Sequence, residues 1–192
     1  MSSRVQQPRL RADAARNRDQ VLEAARAAVD DGDMSLMLNE IARRASVGVG
    51  TVYRHFPTPR HLLEAVVTDR LTALVGEAED AATDSDPWNS LQRLTRATIS
   101  HLLADAALAE VLGAANDADT QTTQLKYALA TIADAILDRT RQDGHIRTDV
   151  DADDFRRLVC GIIYAARLGD GDPGPRADNY LSITLAGLRT TD

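Results

Sequence analysis

The sequence predicts an all-α protein of about nine helices, and three observations support that prediction. Alanine and leucine dominate the apolar residues, whereas phenylalanine, tyrosine and tryptophan make up only 4% of the 192 residues, which favours helices over sheets. Apolar residues recur at helical spacing along most of the chain, and no segment has the alternation of a strand. The breaks between these segments carry helix-starting or helix-ending residues, such as Asp86-Pro87, the cap Asp151 and Gly144.

The predicted helices follow from these breaks in chain order. The first helical pattern begins at Asp13 and stops at residues 30–33, a run of aspartates around a glycine that is suited to end a helix. Two short helices follow, separated by a tight turn at residues 46–48. Thr58 is a natural N-cap for a long fourth helix that begins with Pro59. The predicted helices cover approximately residues 13–29, 38–45, 49–55, 59–82, 87–103, 107–114, 119–142, 152–168 and 176–189.

The charge is distributed unevenly along the chain. The net charge is −7, but residues 1–18 contain five arginines and one aspartate and carry +4, so the remainder carries −11. This asymmetry is typical of a basic arm, here residues 1–12, that approaches a polyanion while an acidic body is repelled by it. A flexible tail that only aids solubility explains the same charge equally well, so the charge alone leaves both interpretations open.

Composition also argues against several protein classes. No apolar run approaches the ~18 residues that a membrane span needs, and the first residues lack the apolar stretch of a secretory signal. The only cysteine, Cys160, cannot form an intramolecular disulfide, and the four histidines are scattered. The sequence therefore predicts a cytoplasmic protein with no metal and no cofactor. Cys160 itself, in the run LVCGII, is predicted to be a small core residue rather than a redox sensor.

The two short helices, joined by a tight turn after a longer helix, predict a helix-turn-helix domain over residues 13–58. Ile41, Val47 and Val52 fall where they can be buried between the crossing helices. The second short helix, VGTVYRH, is too short to be stable alone and must be held by packing. Its outer face carries groups suited to phosphates and base edges, namely Thr51, Tyr53, Arg54 and His55. Taken singly, each is an ordinary surface or core residue; the combination indicates DNA binding.

Residues 41–66, IARRASVGVGTVYRHFPTPRHLLEAV, together with RNRDQVLEAARAAV at residues 16–29, resemble the TetR family of bacterial transcriptional regulators. Weaker resemblance continues at residues 144–162 and 179–189, which look like the last two helices of that family, where its members dimerise. The resemblance implies that residues 59–192 form a helical regulatory and dimerisation domain. Both terminal helices also carry apolar residues on more than one face, which independently predicts a homodimer interface.

The resemblance implies a repressor that binds a palindromic operator in double-stranded DNA as a homodimer and is released by a small-molecule ligand. It implies no enzymatic activity and no membrane partner. The residues implied to contact DNA are Val49, Gly50, Thr51, Tyr53, Arg54, His55 and Arg60, joined by Arg9 and Arg11 of the arm. Arg54 is the best candidate for a guanine contact, because its fork fits O6 and N7. Phe56 is expected to lock the recognition helix in place.

The sequence departs from the family pattern at several positions around the turn. Ser46 stands where the family usually has a glycine, at a position that tends to need positive φ, and we expect strain of up to about 1–2 kcal/mol there. The family's usual polar or capping residues are replaced by Met37, Gly48, Val49 and Pro59. Ser35 is the candidate to cap the second helix in place of Met37. These losses predict fewer phosphate contacts from the domain and a larger role for the arm.

A ligand pocket is only weakly indicated by the sequence. Polar or aromatic residues interrupt otherwise apolar helices at Trp88, His101, Tyr127, Thr131, Tyr164 and Arg167. Ordinary core or interface roles explain each of these residues as well.

Two other functional classes remain as alternatives. An enzyme within a helical bundle would need a catalytic cluster or glycine-rich phosphate loop, which the sequence lacks. A helical interaction module or ligand-binding protein with weakened DNA reading is suggested by Gly48, Val49 and Pro59.

Overall fold

The computed structural model describes residues 6–190, with side chains from residue 12 onward. Over that range the chain forms nine helices and one isolated bridge pair, so the prediction of an all-α fold is confirmed. The helices are α1 (Gln6–Asp30), α2 (Leu38–Arg44), α3 (Val49–His55), α4 (Pro59–Ala82), α5 (Pro87–Ala104), α6 (Ala106–Gly113), α7 (Thr120–Gln142), α8 (Ala152–Arg167) and α9 (Pro173–Leu188). None of the helices in this range is long and apolar enough to cross a membrane.

Helices α1 and α9 begin earlier than the sequence predicts. The α1 helix starts at Gln6 rather than Asp13, so residues 6–12 of the predicted arm are helical. The α9 helix starts at Pro173, within the segment predicted to be a loop up to residue 175. In both cases prolines lie in the first turn, where backbone N–H groups have no helical partner and a missing one costs little. The sequence prediction placed Pro173 and Pro175 in a loop and Pro8 in the basic arm.

The described chain divides into two compact units. The N-terminal unit runs up to Thr68 and includes Ala114–Thr122, and the C-terminal unit contains Asp69–Gly113 and the chain from Thr123 onward. The sequence placed the domain boundary at residues 58 and 59, before the fourth helix. The two units divide within α4: its residues up to Thr68 belong to the N-terminal unit, and the rest belongs to the C-terminal unit.

The core of the N-terminal unit is built from one face each of α1, α2 and α3. The predicted residues Ile41, Val47 and Val52 are all buried, as is Ala42, whose small side chain allows the helices to approach closely. Phe56, immediately after α3, is buried as expected for a residue that locks this helix. The guanidinium of Arg18 lies 5.7 Å from the centre of the Phe56 ring and covers it from α1, in cation–π geometry.

The turn between α2 and α3 has the strained backbone that the sequence predicts. Ser46 has φ +54°, a left-handed conformation that costs residues with a Cβ more than glycine. The expected cap at Ser35 is wrong, however, because no side chain caps α2. The Ser35 hydroxyl and backbone N–H both donate to the Asp33 carboxylate, at 2.6 and 3.0 Å, and these bonds hold the pKa of Asp33 below its ordinary value.

We expect that replacing Ser46 by glycine stabilises the protein by about 0.5–1 kcal/mol. The native φ of +54° is strained for serine and freely accessible to glycine, and this relief outweighs the greater flexibility of a glycine in the unfolded chain. Urea unfolding of the full chain, followed by circular dichroism, measures the change. A Ser46→Gly variant less stable than the wild type would contradict the assignment of strain to this turn.

The C-terminal unit has a core formed mainly by α5, α7, α8 and α9. The predicted caps of two of these helices are confirmed. Asp86 accepts hydrogen bonds from two backbone N–H groups at the start of α5, and Asp151 forms a capping box with Asp154 at the start of α8. Trp88 lies in this core, and the Arg189 guanidinium stacks 4.7 Å from the centre of its ring. The prediction that Cys160 is a core residue is wrong, since it lies exposed on α8.

Candidate nucleic-acid interface

The outer face of α3 carries most of the side chains that were predicted to contact DNA. Val49 and Tyr53 are 45% and 46% exposed, although both are largely apolar, and Arg54 is exposed beside them. Thr51 and His55 are half-buried at the edges of this face. Because Val52 points into the core between them, the packing of α3 determines which of its side chains face outward. We call Val49, Gly50, Tyr53 and Arg54 the exposed face of α3.

Arg54 is held in a defined position on this face. Its Nε donates a hydrogen bond of 3.1 Å to the backbone carbonyl of Gly50, one helical turn earlier. The side chain therefore lies back along α3, and its two Nη groups remain at the exposed end of the fork. Gly50 leaves open space here, since a Cβ added to it meets no atom within 4 Å. A guanidinium presented in this way has the geometry for bidentate recognition.

A charged cluster that was not predicted from the sequence lies on α2. Both Arg43 and Arg44 donate to the carboxylate of Glu40, with Nε–O distances of 3.1 and 3.3 Å. The hydrogen bonds from Arg43 and then Arg44 hold the pKa of Glu40 below its ordinary value, and the same pairing raises the pKa of Arg43. Glu40 therefore stays ionised at neutral pH, and this exposed cluster carries a net single positive charge.

Glu64 on α4 is a fully buried carboxylate that sequence reasoning missed. It accepts hydrogen bonds from the backbone N–H groups of Ala118 and Asp119, at 2.9 and 2.8 Å, and from Arg60 Nε at 2.6 Å. These bonds attach residues 114–122 to the first turns of α4 within the N-terminal unit. The only sequence signal was an acidic residue inside the apolar run LLEAVV.

The remaining predicted DNA contacts have different surroundings. Arg60 is one-quarter exposed, binds Glu64, and brings Nη2 to 3.8 Å from the carboxylate of Asp117, so its guanidinium faces acidic groups of its own unit. Arg9 and Arg11 lie in the first turns of α1, but their side chains fall outside the described residues.

The six residues that indicated a ligand pocket from sequence do not converge in the described structure. Trp88 is in the core, and His101 Nε2 lies 2.9 Å from Glu77. Tyr127 on α7 and Tyr164 on α8 are 74% and 69% exposed, and Arg167 donates to the carbonyl of Leu102. Thr131, on the exposed side of α7, donates its hydroxyl to the carbonyl of Tyr127. Each side chain therefore has its own local surroundings.

A cleft of about 480 Å³ lies between α5 and the start of α9. Its floor is apolar, with Ile99, Ala177 and Leu181, and its rim carries Arg96 and Asp178. A smaller cleft of about 310 Å³ is lined by Glu77, Asp80, Arg93, Arg96 and Ala97. None of the six residues that indicated a ligand pocket from sequence is among the residues that line these two clefts.

One side of α8 and α9 exposes apolar residues to solvent. Leu158 and Tyr164 are exposed on α8, Leu168 is exposed immediately after it, and Ile183 is 62% exposed on α9. Small residues accompany them at Cys160, Gly161 and Gly187, all exposed. The other apolar residues predicted for this interface are buried in the core of the unit itself: Val159, Ile162, Ile163, Leu181, Leu185 and Leu188. The two helices therefore have an apolar face on each side, of which only one is covered.

Comparison with known proteins identifies both parts of the chain. Residues 21–66 match the family described as "Bacterial regulatory proteins, tetR family", and residues 86–190 match "Transcriptional regulator SbtR-like, C-terminal domain". A crystal structure of a TetR transcription regulatory protein from Mycobacterium vanbaalenii is 31% identical, with 94% of this chain and 99% of that chain covered and a TM-score of 0.54.

Two curated relatives agree with these matches. The uncharacterised HTH-type transcriptional regulator Mb2274c of Mycobacterium bovis is 26% identical, over 75% of this chain and 74% of that protein. The HTH-type transcriptional regulator SAR0097 of Staphylococcus aureus is 29% identical, over 43% of this chain and 44% of that protein. With the helix-turn-helix of α1–α3 and the helical C-terminal unit, these matches assign the family. The chain belongs to the TetR family of bacterial transcriptional regulators, whose N-terminal helix-turn-helix binds DNA.

Proposed function

We propose that this protein is a homodimeric repressor that reads a palindromic operator with the exposed face of α3. The observation that carries the proposal is the placement of Arg54 beside Gly50 and Val49, on a helix whose opposite side is fixed in the core. Thr51, Tyr53 and His55 carry hydroxyl and imidazole groups suited to the flanking phosphates. Arg9 and Arg11 supply further positive charge. Arg60 is the weakest member of the contact set, because Glu64 already binds it.

The uncovered face of α8 and α9 supports a twofold dimer. An isologous contact through these helices covers the exposed residues Tyr164 and Ile183 in both protomers. Twofold symmetry then presents two α3 helices to successive major grooves, roughly 34 Å or somewhat more apart. We therefore expect an operator with inverted half-sites. Because bacterial transcription takes place in the cytoplasm, we propose a cytoplasmic location for this regulator.

We expect Ile183→Glu to convert the dimer into a monomer. Each protomer would place a carboxylate in the apolar contact, and symmetry doubles the penalty, which is several kcal/mol for each buried charge without a partner. Tyr127→Glu is the matched control, since Tyr127 is 74% exposed on α7 and lies outside the α8 and α9 face. Sedimentation velocity at micromolar concentration distinguishes the species. An Ile183→Glu variant that remains dimeric would place the interface elsewhere.

Release by a small molecule is the regulatory part of the proposal. It is supported by membership of the TetR family and by the cleft of about 480 Å³ in the C-terminal unit, a volume within the range of ligand pockets. Trp88, His101, Tyr127, Tyr164 and Arg167 are the ligand residues proposed from sequence, and none of them lines this cleft. We propose no enzymatic reaction, because the family consists of regulators.

Selection from random double-stranded oligonucleotides tests the proposed function. The wild-type dimer should enrich an inverted repeat whose half-sites contain a guanine, because Arg54 is placed to bind one. Failure to enrich any sequence, while the dimer stays folded, would favour the alternative that this chain is a helical interaction module with weakened DNA reading. We test that alternative because Gly48, Val49 and Pro59 replace polar residues that are usual in the family.

We expect Gly50→Ala to stabilise the free protein while weakening its binding to DNA. The helix gains about 0.5–1 kcal/mol, since glycine is a poor helix residue and the added Cβ meets no atom within 4 Å. The same methyl group would stand between the backbone of α3 and the bases, at a cost to binding of about 1–3 kcal/mol, as in other overpacked contacts. Urea unfolding and fluorescence anisotropy measure the two effects. Unchanged DNA affinity would mean that Gly50 does not approach the bases.

A further inference from the structure

Val49 is an apolar residue whose side chain contributes little to the core. It is 45% exposed as the first residue of α3, and the buried Val52 supplies the contact that fixes this helix. Valine is also a poorer helix former than alanine or lysine, and α3 has only seven residues. Core packing and helix propensity therefore do not account for a β-branched residue at this position.

The surroundings of Val49 specify what kind of group it can contact. Tyr53 lies one turn further on the same face, and Arg54 is held back over the first turn by its bond to the Gly50 carbonyl. The apolar surface of Val49 therefore lies beside a guanidinium whose Nη groups are available for a base edge. In the major groove, the apolar group on the base edges is the C5-methyl group of thymine.

We propose that Val49 reads a thymine methyl group, on the base pair that neighbours the guanine bound by Arg54. This inference rests on the proposed DNA-binding function and adds a second specified position to each half-site. Gly50 separates the two side chains without a side chain of its own, so both can reach neighbouring base pairs. The operator half-site thus combines one hydrogen-bonded contact with one apolar contact.

The test uses the duplex that the wild-type dimer selects, with each thymine replaced in turn by deoxyuridine, which removes only the methyl group. At one thymine position per half-site the wild type should lose about fourfold in affinity, as expected for roughly 0.8 kcal/mol per buried CH₂-sized group. The Val49→Ala variant should bind the thymine duplex more weakly and lose most of its preference for thymine over deoxyuridine. Tyr53→Phe is the control and should retain the full preference.

Three outcomes separate this inference from the function on which it rests. Tight binding that ignores every deoxyuridine substitution would overturn the thymine contact and leave DNA binding intact. A preference retained in full by Val49→Ala would also overturn it, because another residue would then read the methyl group. Failure of the wild type to select or bind any duplex would overturn both. Circular dichroism should verify the fold of Val49→Ala, in which α3 gains helix propensity.

Discussion

Replacing Glu64 by alanine is expected to destabilise the N-terminal unit by about 3 kcal/mol. The carboxylate is fully buried and accepts hydrogen bonds from the backbone N–H groups of Ala118 and Asp119 and from Arg60. Its removal leaves two backbone donors without their partner, at about 1–3 kcal/mol for each buried group. It also leaves Arg60 without its counter-charge, although Arg60 is one-quarter exposed and solvent reduces that part of the cost.

Two further variants make the Glu64 experiment specific. Glu64→Gln keeps the size of the side chain and one acceptor oxygen, so we expect about half of the loss. Glu79→Ala removes an exposed carboxylate from the same helix and should change stability by less than about 0.5 kcal/mol. Urea unfolding of the full chain measures all three. A Glu64→Ala variant as stable as Glu79→Ala would mean that the link between α4 and residues 114–122 contributes little to folding.

Replacing Arg54 by alanine is expected to cost about 1–3 kcal/mol of binding to the selected operator and to relax the choice of base at one position per half-site. The physical reason is the fork of the guanidinium, which donates two parallel hydrogen bonds to guanine O6 and N7. The bond from Arg54 Nε to the Gly50 carbonyl fixes the fork before DNA arrives, which lowers the entropy lost on binding.

Two control variants separate base reading from attraction to phosphate. Arg54→Lys keeps the charge but loses the planar fork, so it should retain part of the affinity and lose most of the discrimination. Tyr53→Phe removes only a hydroxyl group and should weaken binding to all sequences similarly, by about 1 kcal/mol. Fluorescence anisotropy on the selected and base-substituted duplexes measures both quantities. An equal loss on every duplex after Arg54→Ala would make Arg54 a phosphate contact.

The sequence predicted those features of the fold that depend on residues close together in the chain. Periodic apolar residues located the nine helices found in residues 6–190, and the aspartates at 86 and 151 marked two helix starts that the structure confirms. The departure from glycine at Ser46 predicted a positive φ, which the structure also has. The start of α1 was wrong because residues 1–12 were predicted to be a basic arm, although the proline at position 8 is tolerated in the first turn of a helix.

Features that depend on contacts distant in sequence were not predictable in this way. Glu64 binds backbone groups more than fifty residues later, and nothing near it indicates that residues 114–122 join the N-terminal unit. Cys160 lies among apolar residues, but its position on α8 faces outward while its neighbour Val159 faces the core. The exposed face of α3, by contrast, was predictable, because a seven-residue helix with one buried valine leaves few choices for its outer side.

The measurement that tests the central claim most directly is protection of guanine N7 from dimethyl sulfate in the complex of the wild-type dimer with its selected duplex. This reagent methylates N7 in the major groove, where Arg54 is placed to bind. We predict one protected guanine in each half-site, about one helical turn or somewhat more apart, with protection lost in Arg54→Ala. Guanines that stay fully reactive throughout the bound site would contradict reading of the major groove by α3.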